Sequence, residues 1–158
     1  MIVYINGNDN RCKQLAKLMI ADGYQIQEDS RLISSCDIIY LGKDGQGFEQ
    51  VDFKNNAVVL SLLKNQRLCY LSKLKGFNYR YLYSDEDFVV ENTHISDEAV
   101  IAYMIIDNSI SLSNSNVLIL GYGHCGRDLA AKLEKFNAKV SISNRSDHYH
   151  DEVVEKGY

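Results

Sequence analysis

Short apolar blocks, broken by polar turns, run through residues 1–90. Ile2 to Ile5 (IVYI) is an unbroken apolar run that reads as a buried strand, closed by Asn6-Gly7-Asn8-Asp9. Cys12, Leu15, Ala16 and Met19 then fall on one face at helical spacing, and Gly23 supplies the stop. Tyr24 to Gln27 predicts a short strand. Cys36 to Leu41 (CDIIYL) predicts a buried one, followed by the glycine-rich loop GKDGQG. Ala57 to Leu63 is apolar and fits a strand or a short helix equally. Leu68 to Leu71 and Tyr79 to Tyr83 read as strands, separated by Lys73 to Gly76. Strands alternating with a helix predict a small α/β domain with a mostly parallel sheet.

A second pattern begins after Val90. Ser96 suits a helix N-cap, and Asp97 and Glu98 then lie in the first turn, where the helix dipole favours negative charge. Ala99 to Ile106 (AVIAYMII) is apolar on every face, which predicts a helix buried all round, set between two domains. Asn108 to Ser115 reads as a polar linker. Asn116 to Leu120 is a predicted strand, His124 to Phe136 a helix with Leu129, Leu133 and Phe136 inward, and Lys139 to Ser143 a strand. The expected layout is an N-terminal α/β domain over 1–90, a connecting helix and linker over 91–115, and a partial Rossmann domain over 116–158. A full Rossmann domain has about six strands. Two strands and the start of a further helix point to a fragment, or to an open edge covered by another chain, with a dimer interface the simplest cover.

The turn between those two strands carries the chemistry. In Gly121-Tyr122-Gly123-His124-Cys125-Gly126 the first glycine follows directly on a strand and can make a tight turn. Gly123 has no side chain where a pyrophosphate must approach the backbone, and Gly126 lies where close helix–strand packing excludes a β-carbon. His124 and Cys125 complete the turn, and the helix start offers amides to phosphate. A ligand-free strand-to-helix turn is the plain alternative. NAD enzymes commonly place an acid at the end of the next strand, for the ribose 2′-OH. Here that position reads Ser143-Asn144-Arg145-Ser146, with a guanidinium suited to a 2′-phosphate and Asn144 and Ser146 as added donors. That favours NADP over NAD; a solvated loop arginine is the alternative.

Composition trims the list of functions. The net charge of −4 argues against a nucleic-acid surface, which needs clustered Lys and Arg. No apolar run approaches the roughly 18 residues of a membrane span. Cys12, Cys36, Cys69 and Cys125 show neither a CxxC nor a disulfide framework, so free thiols in a reducing cytoplasm are expected. His148 and His150 are a close pair without a third ligand, so no metal site is expected.

Taken in order, several segments resemble the first subunit of dipicolinate synthase. They are Gly7-Asn8-Asp9-Asn10-Arg11, Glu91 to Ala99, SNSNVLILGYGHCG and SNRSDHYHDEVVEKGY. The resemblance covers the whole chain and is loose between about 44 and 88. It departs at His94-Ile95, where the family has Ile-Pro, at Val100, and at Gly42-Lys43. It implies an N-terminal α/β domain joined to a Rossmann domain, and NADP-dependent oxidation of a dihydrodipicolinate-type heterocycle to dipicolinate. That chemistry belongs to dipicolinic acid biosynthesis in sporulation, and the implied partner is a flavoprotein-like second subunit of the synthase. By position, Gly121, Gly123, His124, Cys125, Gly126, Asn144, Arg145 and Ser146 would bind the nucleotide. Asp9, Arg11, Asn92, Thr93, Ser96 and Glu98 would line a substrate cleft, Arg11 clamping a carboxylate of a small dicarboxylate. For Ser96 and Glu98 a plain cap and a dipole-matching carboxylate serve equally well. No catalytic residue is assigned.

Two other readings stay open from sequence. One is a truncated, non-catalytic nucleotide-binding or interaction module derived from such an enzyme. The other is a Rossmann unit of the 2-hydroxyacid dehydrogenase or adenosylhomocysteinase kind. A homo-oligomer is expected in either case.

Overall fold

The computed structural model describes residues 1–108 and 111–158. They divide into two units, Met1–Asp85 and Glu86–Tyr158. Unit 1 is a five-stranded, wholly parallel sheet in the order β2-β1-β3-β4-β5. Its elements in chain order are β1 (Ile2–Ile5), α1 (Asn10–Ala21), β2 (Gln25–Gln27), β3 (Ile38–Tyr40), β4 (Val58–Ser61), α2 (Gln66–Lys75) and β5 (Asn78–Tyr81). β1 sits between β2 and β3, pairing Val3 with Ile26 on one side and Ile38 on the other. Ile39 and Val59, partners across β3 and β4, are fully buried in one core with Cys36, Leu68 and Phe77.

Two sequence expectations resolve here. The run from Ala57 to Leu63 forms a strand, β4, over Val58–Ser61. Leu68 to Leu71, expected as a strand, is helical. Asn65 supplies the reason: its Oδ1 accepts from the Arg67 and Leu68 amides, starting α2, and left-handed Gly76 ends it. Leu68 and Leu71 are then the buried positions of a helix, three apart.

Unit 2 holds α3 (Glu86–Asn108), β6 (Asn116–Leu120), α4 (His124–Lys135), β7 (Lys139–Ser143) and α5 (His150–Glu155). β6 and β7 pair in parallel from Asn116↔Lys139 to Leu120↔Ser143. Ile119 and Val140 join Ala130 and Leu133 of α4 and Ile101 of α3 in a second core. The opposite face of β6 carries Leu118 and Leu120, 63% and 79% exposed.

α3 corrects the reading of residues 96–106. It starts at Glu86, with Glu86 and Asp87 in its first turn, so Ser96 lies mid-helix and is no N-cap. The Ser96 hydroxyl donates to the Asn92 carbonyl at 2.8 Å, a bond available to a serine inside a helix. Nor is the apolar segment buried all round. Thr93, Asp97 and Ile101 form one buried stripe, while Ile95, Tyr103 and Ile106 are exposed. All-round apolarity gives all-round burial only where other elements reach every face; here the described packing partner is α4. Phe136, expected inward, is the C-cap of α4 and is exposed. The linker expected over Asn108 to Ser115 includes 109–110, which lie outside the described residues. No helix among the described residues is long and apolar enough to cross a membrane.

Candidate functional site: a glycine turn at the start of α4

The β6–α4 connection has the geometry of a phosphate cradle. Gly121 leaves β6 at φ +108°, which a residue with a side chain adopts only under strain. A β-carbon on Gly126 would overlap the Gly121 carbonyl oxygen, so helix and turn approach as closely as they do because Gly126 is glycine. Gly123 differs from both: its φ is −79° and a β-carbon there would meet nothing within 4 Å. That open space lies directly over the helix start.

Gly123 is also the N-cap of α4, and no side chain caps this helix. The amides of a first helical turn have no partner within the helix. At α4 they are left for an outside acceptor, and the helix dipole adds positive potential at the same place. The residues present therefore fit the pyrophosphate of a dinucleotide.

Asn144, Arg145 and Ser146 follow β7 at the same edge. Gly121 N–H donates to the Ser143 carbonyl at 2.7 Å, which ties the turn to the end of β7. Arg145 is exposed, and among the described residues nothing holds its guanidinium. Asn144 Nδ2 donates to the Ser146 carbonyl at 2.8 Å, and Ser146 caps the short turn of helix over Asp147–Tyr149. The loop is thus shaped by its own polar groups, with Arg145 left over.

Sequence reasoning missed what supports the turn from below. Tyr122 is 1% exposed; its hydroxyl donates to Glu152 of α5 at 3.2 Å. The Arg127 guanidinium lies 5.4 Å from the Tyr122 ring centroid and 5.1 Å from that of Tyr149, and 3.4 Å from Glu152. The sequence holds an arginine directly after Gly126 and two tyrosines in the tail, Tyr149 and Tyr158, with no spacing that joins them. Each group has an internal partner, which fits a brace under the turn.

The expected substrate residues fall in different surroundings. Thr93 is buried on α3 with its hydroxyl 3.8 Å from the Cys125 thiol at the start of α4. Asn92 is half-buried one position earlier, and Ser96 and Glu98 are exposed further along α3. His124 is 3.8 Å from Glu86.

Asp9 and Arg11 belong to unit 1, at the carboxyl end of β1. The strand order of that sheet reverses between β1 and β3, the position where open α/β sheets bind ligands. Asp9 caps α1 through the Cys12 amide at 2.9 Å and accepts from Arg11 at 2.8 Å. Those two bonds hold the Asp9 carboxyl down at about 2. Arg11 remains largely exposed, with one edge of its fork engaged.

No protein-family profile matches the chain. Adenosylhomocysteinase of Haloquadratum walsbyi is 29% identical over 68 residues, which is 43% of this chain and 16% of that protein. Over 99% of its length the chain is similar in structure to the first subunit of dipicolinate synthase from Bacillus halodurans (TM-score 0.71, 21% identity) and from Bacillus subtilis (0.70, 19%). It spans 65% and 64% of those two chains. An NAD+-bound 3-phosphoglycerate dehydrogenase of Entamoeba histolytica matches over 92% of this chain and 54% of its own, with a TM-score of 0.54 and 12% identity. Over the part that it spans, the chain has the parallel α/β fold of the first dipicolinate synthase subunit, with a Rossmann-like second unit.

Proposed function

We propose that this chain binds NADP and serves an oxidoreductase of the dipicolinate synthase type, in the role of that enzyme's first subunit. The reaction is oxidation of a dihydrodipicolinate-like heterocycle to dipicolinate, with the bound nicotinamide supplying the hydride acceptor. The observation that carries this reading is the uncapped start of α4 beneath an open Gly123, closed by a Gly126 that only glycine fits. The amides of His124, Cys125 and Gly126 would hold the pyrophosphate, and Arg145, with Asn144 and Ser146, the 2′-phosphate. An ionised acid at that strand end would repel such a group, and none is present.

Arg11 offers a planar fork to a substrate carboxylate. Asp9 orients Arg11 through their ion pair. Partnership with the second subunit of such a synthase, a cytoplasmic location and a homo-oligomer belong to the same proposal. Exposed Ile95, Tyr103, Ile106, Leu118 and Leu120 on unit 2 support self-association.

A second reading is a nucleotide-binding module without turnover. Calorimetry with NADP and NAD, followed by a turnover assay with the dihydro heterocycle, separates the readings. Tight NADP binding with turnover supports the enzyme, and binding without turnover the module. Failure to bind either nucleotide contradicts both.

A further inference from the structure

Between α3 and α4, within the helical turn that follows Gly126, lies a group of ionisable side chains around a buried Asp97 that nucleotide binding does not use. Asp97 of α3 is 2% exposed, and its Oδ2 is buried with no hydrogen-bond partner. From α4 it faces Asp128 and Lys132; from its own helix it faces His94. Across the seam the Asp97 and Asp128 carboxyls act on each other, Asp128 raising Asp97 and Asp97 lowering Asp128. Asp128 Oδ2 also accepts from Lys132 Nζ at 2.8 Å and lies 2.9 Å from His94 Nδ1. Lys132 in turn donates to the His94 carbonyl at 2.8 Å, so the same residues stitch the two helices together.

The charges around this seam are unequally shared. Asp128 takes both cationic partners, whereas Asp97 keeps a buried oxygen that no donor reaches. An ionised carboxylate in that position loses its water and gains no donor in exchange. A protonated carboxyl turns one of its oxygens into a donor, and an ionised Asp128 is the acceptor beside it. Two carboxyls this close hold one proton far more readily than none.

We propose that Asp97 and Asp128 share one proton across the α3–α4 seam and form a pH-sensitive latch, closed while the proton is present and loosened when it leaves. Burial first, and then the Asp128 carboxylate, push the Asp97 carboxyl up to about 6, while Lys132 and His94 hold Asp128 below the ordinary carboxylate value against the cost of its own burial. With the folded value raised from 3.8 to about 6, the stabilisation is complete below 3.8 and is lost as pH rises through about 6. Between pH 5 and pH 7.5 the folded-to-unfolded ratio of unit 2 should fall about tenfold from this source. The latch does not depend on the nucleotide reading, since no residue of the glycine turn takes part.

The test uses the full chain without nucleotide. Thermal midpoints are measured from pH 4.5 to pH 8 for the parent, Asp97→Asn and His94→Gln. An asparagine amide can donate to Asp128 at every pH. Asp97→Asn should therefore match the parent near pH 5 and become progressively more stable than it above pH 6. A parent–variant difference that stays constant with pH overturns the latch. So does a pH slope that survives Asp97→Asn and disappears in His94→Gln. Carboxyl carbon shifts of the parent, followed by NMR, give an answer even where a variant fails to fold. Asp97 should titrate near 6 and Asp128 well below it; an Asp97 that titrates near 4 contradicts the proposal.

Discussion

Three of the helices that follow parallel strands, α1, α2 and α4, begin in two different ways. In unit 1, α1 starts on Asp9 and α2 on Asn65, and each residue lays its own side-chain oxygen over the first-turn amides. Asn65 is anchored in turn, its amide donating to Glu49 at 2.9 Å and to the Asp44 carbonyl at 3.0 Å. In unit 2, α4 starts on Gly123 and receives no side chain. A helix that brings its own acceptor has no need of a ligand there; a helix that opens on glycine leaves donors and dipole to be used. On the proposed reading this difference puts the nucleotide's anion site at α4, whereas the first-turn amides of α1 and α2 are taken by Asp9 and Asn65.

The largest expected effect removes the packing on which the α4 start depends. Gly126→Ala forces a β-carbon against the Gly121 carbonyl oxygen, and no rotamer change can relieve a backbone overlap. It should destabilise unit 2 by about 3 kcal/mol or more, read as a drop in the denaturation midpoint. Gly47→Ala in unit 1 is the control, since a β-carbon there meets nothing and only its positive φ of 87° opposes it. A loss at Gly126 no larger than at Gly47 would mean that the overlap with the Gly121 carbonyl is relieved by a backbone shift.

Next comes cofactor choice. Arg145→Asp should weaken NADP binding by about 1.5–3 kcal/mol, the scale of a charge-assisted hydrogen bond. NAD binding should change less. Equal affinity for the two nucleotides in the parent removes Arg145 from the site.

The smallest effect concerns the self-capped end. Asp9 has its carboxyl lowered from 3.8 to about 2 by the Cys12 amide and Arg11. Its contribution is therefore present above 3.8 and lost as pH falls towards 2, the reverse of the sense argued for Asp97. Asp9→Asn keeps an acceptor for the amide and should flatten that acid limb slightly, while leaving nucleotide binding as it was. A loss of nucleotide affinity would show that the two units are not as separate in role as their helix starts indicate.

Much of the fold could be read from the chain because local pattern and final packing agree. The runs at Ile2–Ile5, Asn116–Leu120 and Lys139–Ser143 are strands with the expected ends. The glycine turn was legible for the same reason, since Gly121 and Gly126 each answer a steric demand within six residues of chain. Leu68 to Leu71 misled because a short unbroken apolar run, LCYL, suits a strand until Asn65 is recognised as a cap. Ser96 misled in the opposite way: a good N-cap type occurs where no helix begins, as α3 has already run from Glu86. Asp97, Asp128, His94 and Lys132 left no trace in local pattern, because their meeting depends on how two helices pack. Nor could spacing show that Arg127 would sit between Tyr122 and Tyr149.

The central claim is that α4 binds a nucleotide because Gly123 leaves its start uncapped. Gly123→Asp tests it directly, giving α4 the same cap that Asp9 gives α1. The backbone there is extended and a β-carbon meets nothing, so the substitution fits without strain. Calorimetry and thermal unfolding are run on the same sample. The account predicts that NADP affinity falls about 100-fold or more as the carboxylate takes the donors and repels phosphate. Stability should hold or rise by a few tenths of a kcal/mol, the gain of an aspartate over a glycine cap. Undiminished NADP binding in a folded Gly123→Asp chain would contradict it.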